Sequence, residues 1–123
     1  MRILVLGAGR SAGYLIEYLA VKCEERGWKM TVCDQDFSRL QLSFKLNEFV
    51  TLKQMDVTDL FQLELVLRDH NVAVSLLPPF MHTTVAKMAI SFGVSLFTAS
   101  YISKDMQALD DLAKENGVLL LIS

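Results

Sequence analysis

The chain has 123 residues, enough for one domain with a real core and too few for a larger assembly of domains. Hydrophobic residues make up 52% and charged residues 21%, with 6 Gly and 2 Pro, which excludes disorder, collagen-like repeats and low-complexity linkers. Twelve basic against 14 acidic side chains leave a net charge of −2 without a basic run, so nucleic acid is not an expected partner.

Two cysteines are too few for a disulfide scaffold; Cys23 and Cys33 read as small core residues in a reducing compartment. No Cys/His/Asp/Glu cluster has metal-ligand spacing, and no metal is expected. The apolar runs fall short of the roughly twenty residues that a membrane helix needs, and the opening Met1–Leu6 run leads into glycines rather than a cleavage site. The chain therefore reads as cytoplasmic, with no membrane partner. Its mean hydropathy of +0.34 is high for a free-standing soluble domain.

Short apolar runs rich in β-branched residues recur along the chain at Arg2–Leu6, Lys29–Cys33, Phe49–Leu52, Val72–Leu76, Ser95–Thr98 and Val118–Ile122, starting 20 to 27 residues apart. Runs without polar alternation suit parallel strands covered on both faces. Between the first two, Ala12, Leu15, Ile16, Leu19 and Cys23 form a helical stripe. Leu60, Leu63 and Leu67, and later Val85, Met88, Ala89 and Phe92, repeat that period. Asp36, Asp59 and Ser103 stand as N-caps, Asp59 and Gln62 with capping-box spacing. Gly27, Gly93 and Gly117 stand where helices should end. Six strands alternating with five helices predict an α/β doubly wound parallel sheet of Rossmann type, order 3-2-1-4-5-6, with helices on both faces.

The first strand runs directly into Gly7-Ala8-Gly9-Arg10-Ser11-Ala12-Gly13, which opens the first helix. In that context Gly7 permits a tight turn, Gly9 lets backbone approach a pyrophosphate, and Ala12 allows close helix–strand packing. The N–H groups and dipole of the helix start favour phosphate charge. Asp34, at the end of the second strand, is placed to accept hydrogen bonds from the adenosine ribose hydroxyls. A carboxylate there repels a 2′-phosphate, which favours NAD, while Arg10 and Arg39 keep NADP open.

Asp56 and Val57 end the third strand, either beside the adenine or as a polar loop leading to the caps Thr58 and Asp59. The loop Leu77-Pro78-Pro79-Phe80-Met81-His82 follows strand four at the switch point, where the nicotinamide half should lie. Its prolines suit a rigid wall. His82 reads as a capping or surface residue, with substrate contact as the alternative, and His70 as a dipole partner at a helix end. The hydroxyl cluster Thr98-Ala99-Ser100-Tyr101-Ile102-Ser103 suits either a polar substrate or plain capping.

GAGRSAGY at 7–14, SLLPPFMH at 75–82 and TASYIS at 98–103 together resemble the N-terminal cofactor domain of the saccharopine dehydrogenase/reductase family, along the whole chain. The resemblance implies an NAD(P)-dependent oxidoreductase acting on an amino-acid secondary amine, with hydride passing between nicotinamide and the imine carbon. It implies that Gly7, Gly9, Arg10, Ser11 and Ala12 meet the pyrophosphate, Asp34 the adenosine ribose, and Leu77 and Pro78 the nicotinamide ribose. Ser100 and Tyr101 would face the substrate. No residue is identified as the catalytic acid or base. The NADP-using branch tends to carry an arginine where this chain has Asp34-Gln35.

The family also carries a second domain that holds most of the substrate. Residues 1–123 are therefore expected to form the dinucleotide-binding domain alone, inactive without that domain, and to associate with it or with another copy. A regulatory nucleotide sensor of the potassium-uptake regulator type is the alternative, sharing the GAGR-like turn and the acid after strand two. A short-chain dehydrogenase is discarded, because its Tyr-x-x-x-Lys spacing occurs only at Tyr18 and Lys22, on the first helix.

Overall fold

The computed structural model describes residues 1–9, 12–98 and 120–122. Strand β1 (Arg2–Leu6) leads through the glycine turn into helix α1 (Gly13–Arg26) and strand β2 (Lys29–Asp34). An irregular segment then reaches β3 (Val50–Gln54), followed by α2 (Leu60–Arg68) and β4 (Val72–Ser75). A 3-10 turn (Pro79–Met81) opens α3 (His82–Ser91), which returns to β5 (Ser95–Thr98). The parallel sheet runs β3-β2-β1-β4-β5, and β6 (Leu120–Ile122) lies parallel beside β5 with Leu120 opposite Leu96.

Strand β1 is central because it has something to bury on both faces. Ile3 and Val5 point into one layer with Ile16, Ala20 and Cys23 of α1, while Leu4 and Leu6 point into the other with Leu63, Leu67, Val85 and Ala89. A fully buried Leu, Ile or Val contributes about 1.5–3 kcal/mol, so loss of either layer would unfold the sheet. Helices end as their sequences indicate: Gly27 and Gly93 both adopt φ of +70°, the left-handed conformation that costs glycine nothing.

The link from β2 to β3 departs from the expected helix. Asp36 does not cap one; its carboxylate accepts the Ser38 N–H at 2.8 Å and the Ser38 hydroxyl at 2.9 Å, closing a local turn. Phe37, Leu40, Leu42, Leu46 and Phe49 nevertheless pack on the α1 layer. Glu17 of α1 anchors this segment by accepting from the Ser43 hydroxyl at 2.7 Å and from the Ser43 backbone N–H. Asn47 adds a bond to the Ala20 carbonyl at 2.9 Å. Gly13 explains how closely the segment approaches, since a Cβ there would lie 2.0 Å from the Gln41 carbonyl oxygen.

Two further expectations need correction. Leu60 lies on the solvent side of α2, half exposed, and Val66 takes the buried place beside Leu63 and Leu67. The Asp59–Gln62 pair does cap α2, with Asp59 accepting from the Phe61 and Gln62 N–H groups. The Gln62 amide, however, returns to the Asp59 carboxylate at 3.1 Å, because the Asp59 N–H already donates to the Asp56 carbonyl. The expected helix from Ser103 and the Gly117 cap lie outside the described residues.

Candidate dinucleotide site

The glycine turn sits at the carboxyl edge of the sheet, between β1 and α1. Gly7 takes φ of +101° and donates its N–H to the Cys33 carbonyl at 2.8 Å; a Cβ there would press on the Leu76 carbonyl at 3.2 Å. Gly9 differs, because a Cβ at that position would meet nothing within 4 Å. Its missing side chain leaves open space directly before α1. Ala12 is the N-cap residue and makes no side-chain cap, so among the described residues no cap side chain covers the first N–H groups of α1, which suit an anion.

Asp34 ends β2 beside this turn. One carboxylate oxygen accepts the Ala8 N–H at 2.5 Å and the other the Asp36 N–H at 3.2 Å. The side chain therefore locks the glycine turn to the end of the neighbouring strand. Gly9, Asp34, Gln35, Asp36 and Arg39 line a cleft of about 290 Å3. That is the low end for small-molecule sites, which span roughly 300–1,000 Å3, so the cleft suits one end of a dinucleotide. The Ser38 bonds, first the backbone N–H, hold the Asp36 carboxyl below its usual range, and Arg39 adds to that effect. Arg39 forms no ion pair among the described residues.

Asp56 lies in the turn that follows β3. Its carboxylate accepts from the Thr58 hydroxyl at 2.6 Å and the Thr58 N–H at 2.9 Å, which lower its pKa, while Val57 packs on the core. Leu77 and Pro78 stand at the carboxyl end of β4, next to β1 across the switch point. Arg10, Ser11, Ser100 and Tyr101 lie outside the described residues.

Both histidines differ from expectation. His70 is buried rather than a charged dipole partner: Nδ1 lies 2.7 Å from the Val66 carbonyl and Nε2 lies 3.1 Å from the Thr31 hydroxyl. A carbonyl only accepts, so Nδ1 carries the proton and Nε2 accepts from Thr31. Burial lowers the His70 pKa, which keeps this tautomer neutral. His82 is neither a surface residue nor a cap. Its side chain is 1% exposed, at the start of the α3 stripe 82-85-86-89-90. That period was readable in the sequence; the links Asp34–Ala8 and His70–Thr31 were not, because each joins residues far apart in the chain.

Among the described residues no group of three His, Cys, Asp or Glu is placed to hold a metal, and no helix is long and apolar enough to cross a membrane.

A parallel sheet with a glycine turn between its central strand and the first helix, and an acid closing the neighbouring strand, defines a dinucleotide-binding domain of Rossmann type. The family model described as the saccharopine dehydrogenase NADP binding domain matches residues 3–121, and this chain belongs to that family. Saccharopine dehydrogenase [NADP(+), L-glutamate-forming] of Schizosaccharomyces pombe is 30% identical over 119 residues, covering 97% of this chain and 26% of that protein. The mitochondrial alpha-aminoadipic semialdehyde synthase of Mus musculus is 29% identical over 124 residues, covering 98% of this chain and 13% of its own length. Apo saccharopine dehydrogenase (L-Glu forming) from Saccharomyces cerevisiae superposes with a TM-score of 0.79 at 28% identity, over 98% of this chain and 26% of that one. The chain thus spans about a quarter or less of the relatives it matches.

Proposed function

We propose that residues 1–123 form the NADP(H)-binding unit of an oxidoreductase acting on an amino-acid secondary amine, of saccharopine dehydrogenase type. The observation that carries this reading is the open space at Gly9, facing the uncapped start of α1 and bordered by the Asp34–Arg39 cleft. The pyrophosphate fits there: Gly7 holds the turn, Gly9 makes room, Ala12 brings the helix close, and Arg10 and Ser11 belong to the same loop. Asp34 orients the adenosine ribose while bracing Ala8. Asp56 and Val57 border the adenine, and Leu77 and Pro78 the nicotinamide ribose.

NADP replaces NAD as the preferred cofactor in this reading. The family description and the name of the Schizosaccharomyces pombe relative both carry NADP. Physically, Asp34 is engaged by the Ala8 N–H, and Arg39 shares its cleft, so a 2′-phosphate finds a cation beside the carboxylate.

When bound, the cofactor exchanges a hydride with the carbon of the amine or imine. The chain's own contribution is orientation: the glycine turn, the cleft and the proline segment fix the two ends of the dinucleotide relative to the sheet. Substrate contacts are assigned to Ser100 and Tyr101 and to a second domain beyond residues 1–123, or to another copy. In this reading β6 completes the sheet as order 3-2-1-4-5-6. The family match does not favour the potassium-uptake regulator alternative.

Calorimetric titration with NADP, NADPH, NAD and NADH tests the proposal, together with Gly9→Val. Tightest binding of the phosphorylated pair, abolished by Gly9→Val in a protein of unchanged stability, is the expected result. Binding of all four that ignores Gly9→Val would sink it.

A further inference from the structure

Ser75 and His82 are buried polar side chains with no described hydrogen-bond partner for the Ser75 hydroxyl or either imidazole nitrogen. Along β4, Ala73 points into the α2–α3 layer, so Ser75, two residues on, points there as well. His82 begins the buried stripe of α3, packed in that same layer. Both residues thus lie behind the segment Leu77-Pro78-Pro79, at the carboxyl end of the sheet.

That segment has few hydrogen-bonding groups. Pro78 and Pro79 have no N–H. The Pro78 carbonyl accepts from the Met81 N–H at 3.0 Å, and the Pro79 carbonyl from the His82 N–H. The Leu77 carbonyl has no such backbone donor among the described residues. It lies near enough to His82 to favour a protonated ring, but neither ring nitrogen meets it in hydrogen-bonding geometry. A buried imidazole with both nitrogens unpaired is costly, and the Leu77 carbonyl near it belongs to the segment assigned to the nicotinamide ribose.

Building on the dinucleotide-binding reading, we propose that His82 is a positioning residue for the nicotinamide half of the site. Its imidazole N–H closes onto the Leu77 carbonyl when the dinucleotide is bound, and this fixes the peptide that borders the nicotinamide ribose. A carbonyl has two lone pairs, so Leu77 can accept from His82 behind and from a ribose hydroxyl in front.

The protein has two histidines, so ¹⁵N-histidine labelling reads both rings, with His70, partnered at both nitrogens, as internal reference. NADPH should shift the His82 ring nitrogens to one fixed tautomer, while adenosine 2′,5′-bisphosphate, which lacks the nicotinamide half, should leave them unchanged. His82→Leu should weaken NADPH binding about tenfold, the worth of one hydrogen bond, and spare the adenosine fragment. His82→Gln should restore part of the loss. Unresponsive His82 resonances, or equal losses for both ligands, would overturn the proposal and point to a packing role. Failure of wild-type protein to bind either ligand would overturn the dinucleotide reading itself. The labelling arm needs no variant, so a substitution that unfolds the protein does not block the test.

Discussion

The Asp34 carboxylate accepts the Ala8 backbone N–H at 2.5 Å, joining the end of β2 to the middle of the glycine turn across 26 residues of sequence. Ala8 is fully buried, so water cannot replace this acceptor. Asp34→Ala should cost about 1–3 kcal/mol of stability for the orphaned donor, read as a lower urea midpoint, and should also weaken dinucleotide binding. Asp34→Asn keeps an acceptor and should recover most of the stability. Equal stability of the alanine and asparagine variants would show that Ala8 does not depend on this bond.

A second prediction concerns the close approach of Gln41 to the start of α1. Gly13→Ala normally favours a helix by up to about 1 kcal/mol, yet here the new methyl would collide with the Gln41 carbonyl. Net destabilisation of roughly 1–3 kcal/mol is expected from the forced shift. Gly9→Ala, with open space at the same turn, should leave chemical denaturation nearly unchanged and act on nucleotide binding instead. A Gly13→Ala protein as stable as the parent would mean that the β2–β3 segment moves away at no cost.

That segment also marks what the sequence concealed. The strands were legible because parallel strands are apolar on both faces, and β1, β2, β4 and β5 fall within a residue or two of the expected runs. The glycine turn was legible because its glycines follow a strand directly and open a helix. The β2–β3 link was not: Leu42, Leu46 and Phe49 keep a helical spacing and, with Phe37 and Leu40, pack partly buried on the α1 layer, yet the segment is tied to α1 by Ser43 donating to Glu17 and by Asn47 donating to the Ala20 carbonyl rather than by helix bonds of its own. His70 was misread for a related reason. Position at a helix end suggested charge, but Thr31, from a strand 39 residues earlier, converts it into a buried neutral bridge.

Cofactor selection should respond to Arg39. Its guanidinium borders the cleft beside Asp34 and Asp36, and a charge-assisted bond to a 2′-phosphate is worth about 1.5–3 kcal/mol. Arg39→Ala should therefore weaken NADPH about tenfold or more while changing NADH little. Parallel titrations with the two nucleotides give that ratio directly. An unchanged ratio would remove Arg39 from phosphate recognition.

Stability should depend on pH through His70. Its folded pKa is lowered, chiefly by burial, with Arg2 and Lys53 adding to the effect and Asp69 and the Val66 carbonyl opposing it. The unfolded chain therefore binds a proton more readily, near pH 6.5. The contribution is complete above that value and is lost as pH falls through the window below it. Urea midpoints should drop from pH 7.5 to 5.5, and less steeply in His70→Gln. Parallel slopes for the two proteins would contradict this assignment.

The two cysteines have a practical consequence. Both are buried and unpaired, and burial raises the pKa of each, that of Cys33 to about 11. The reactive species is the thiolate, so at neutral pH the native chain should react only slowly with maleimides and mild oxidants. A single cysteine introduced at exposed Gln35, on the rim of the Asp34 cleft, would then be the preferred labelling point. Its fluorophore could follow nucleotide arrival in real time without any native residue first being removed.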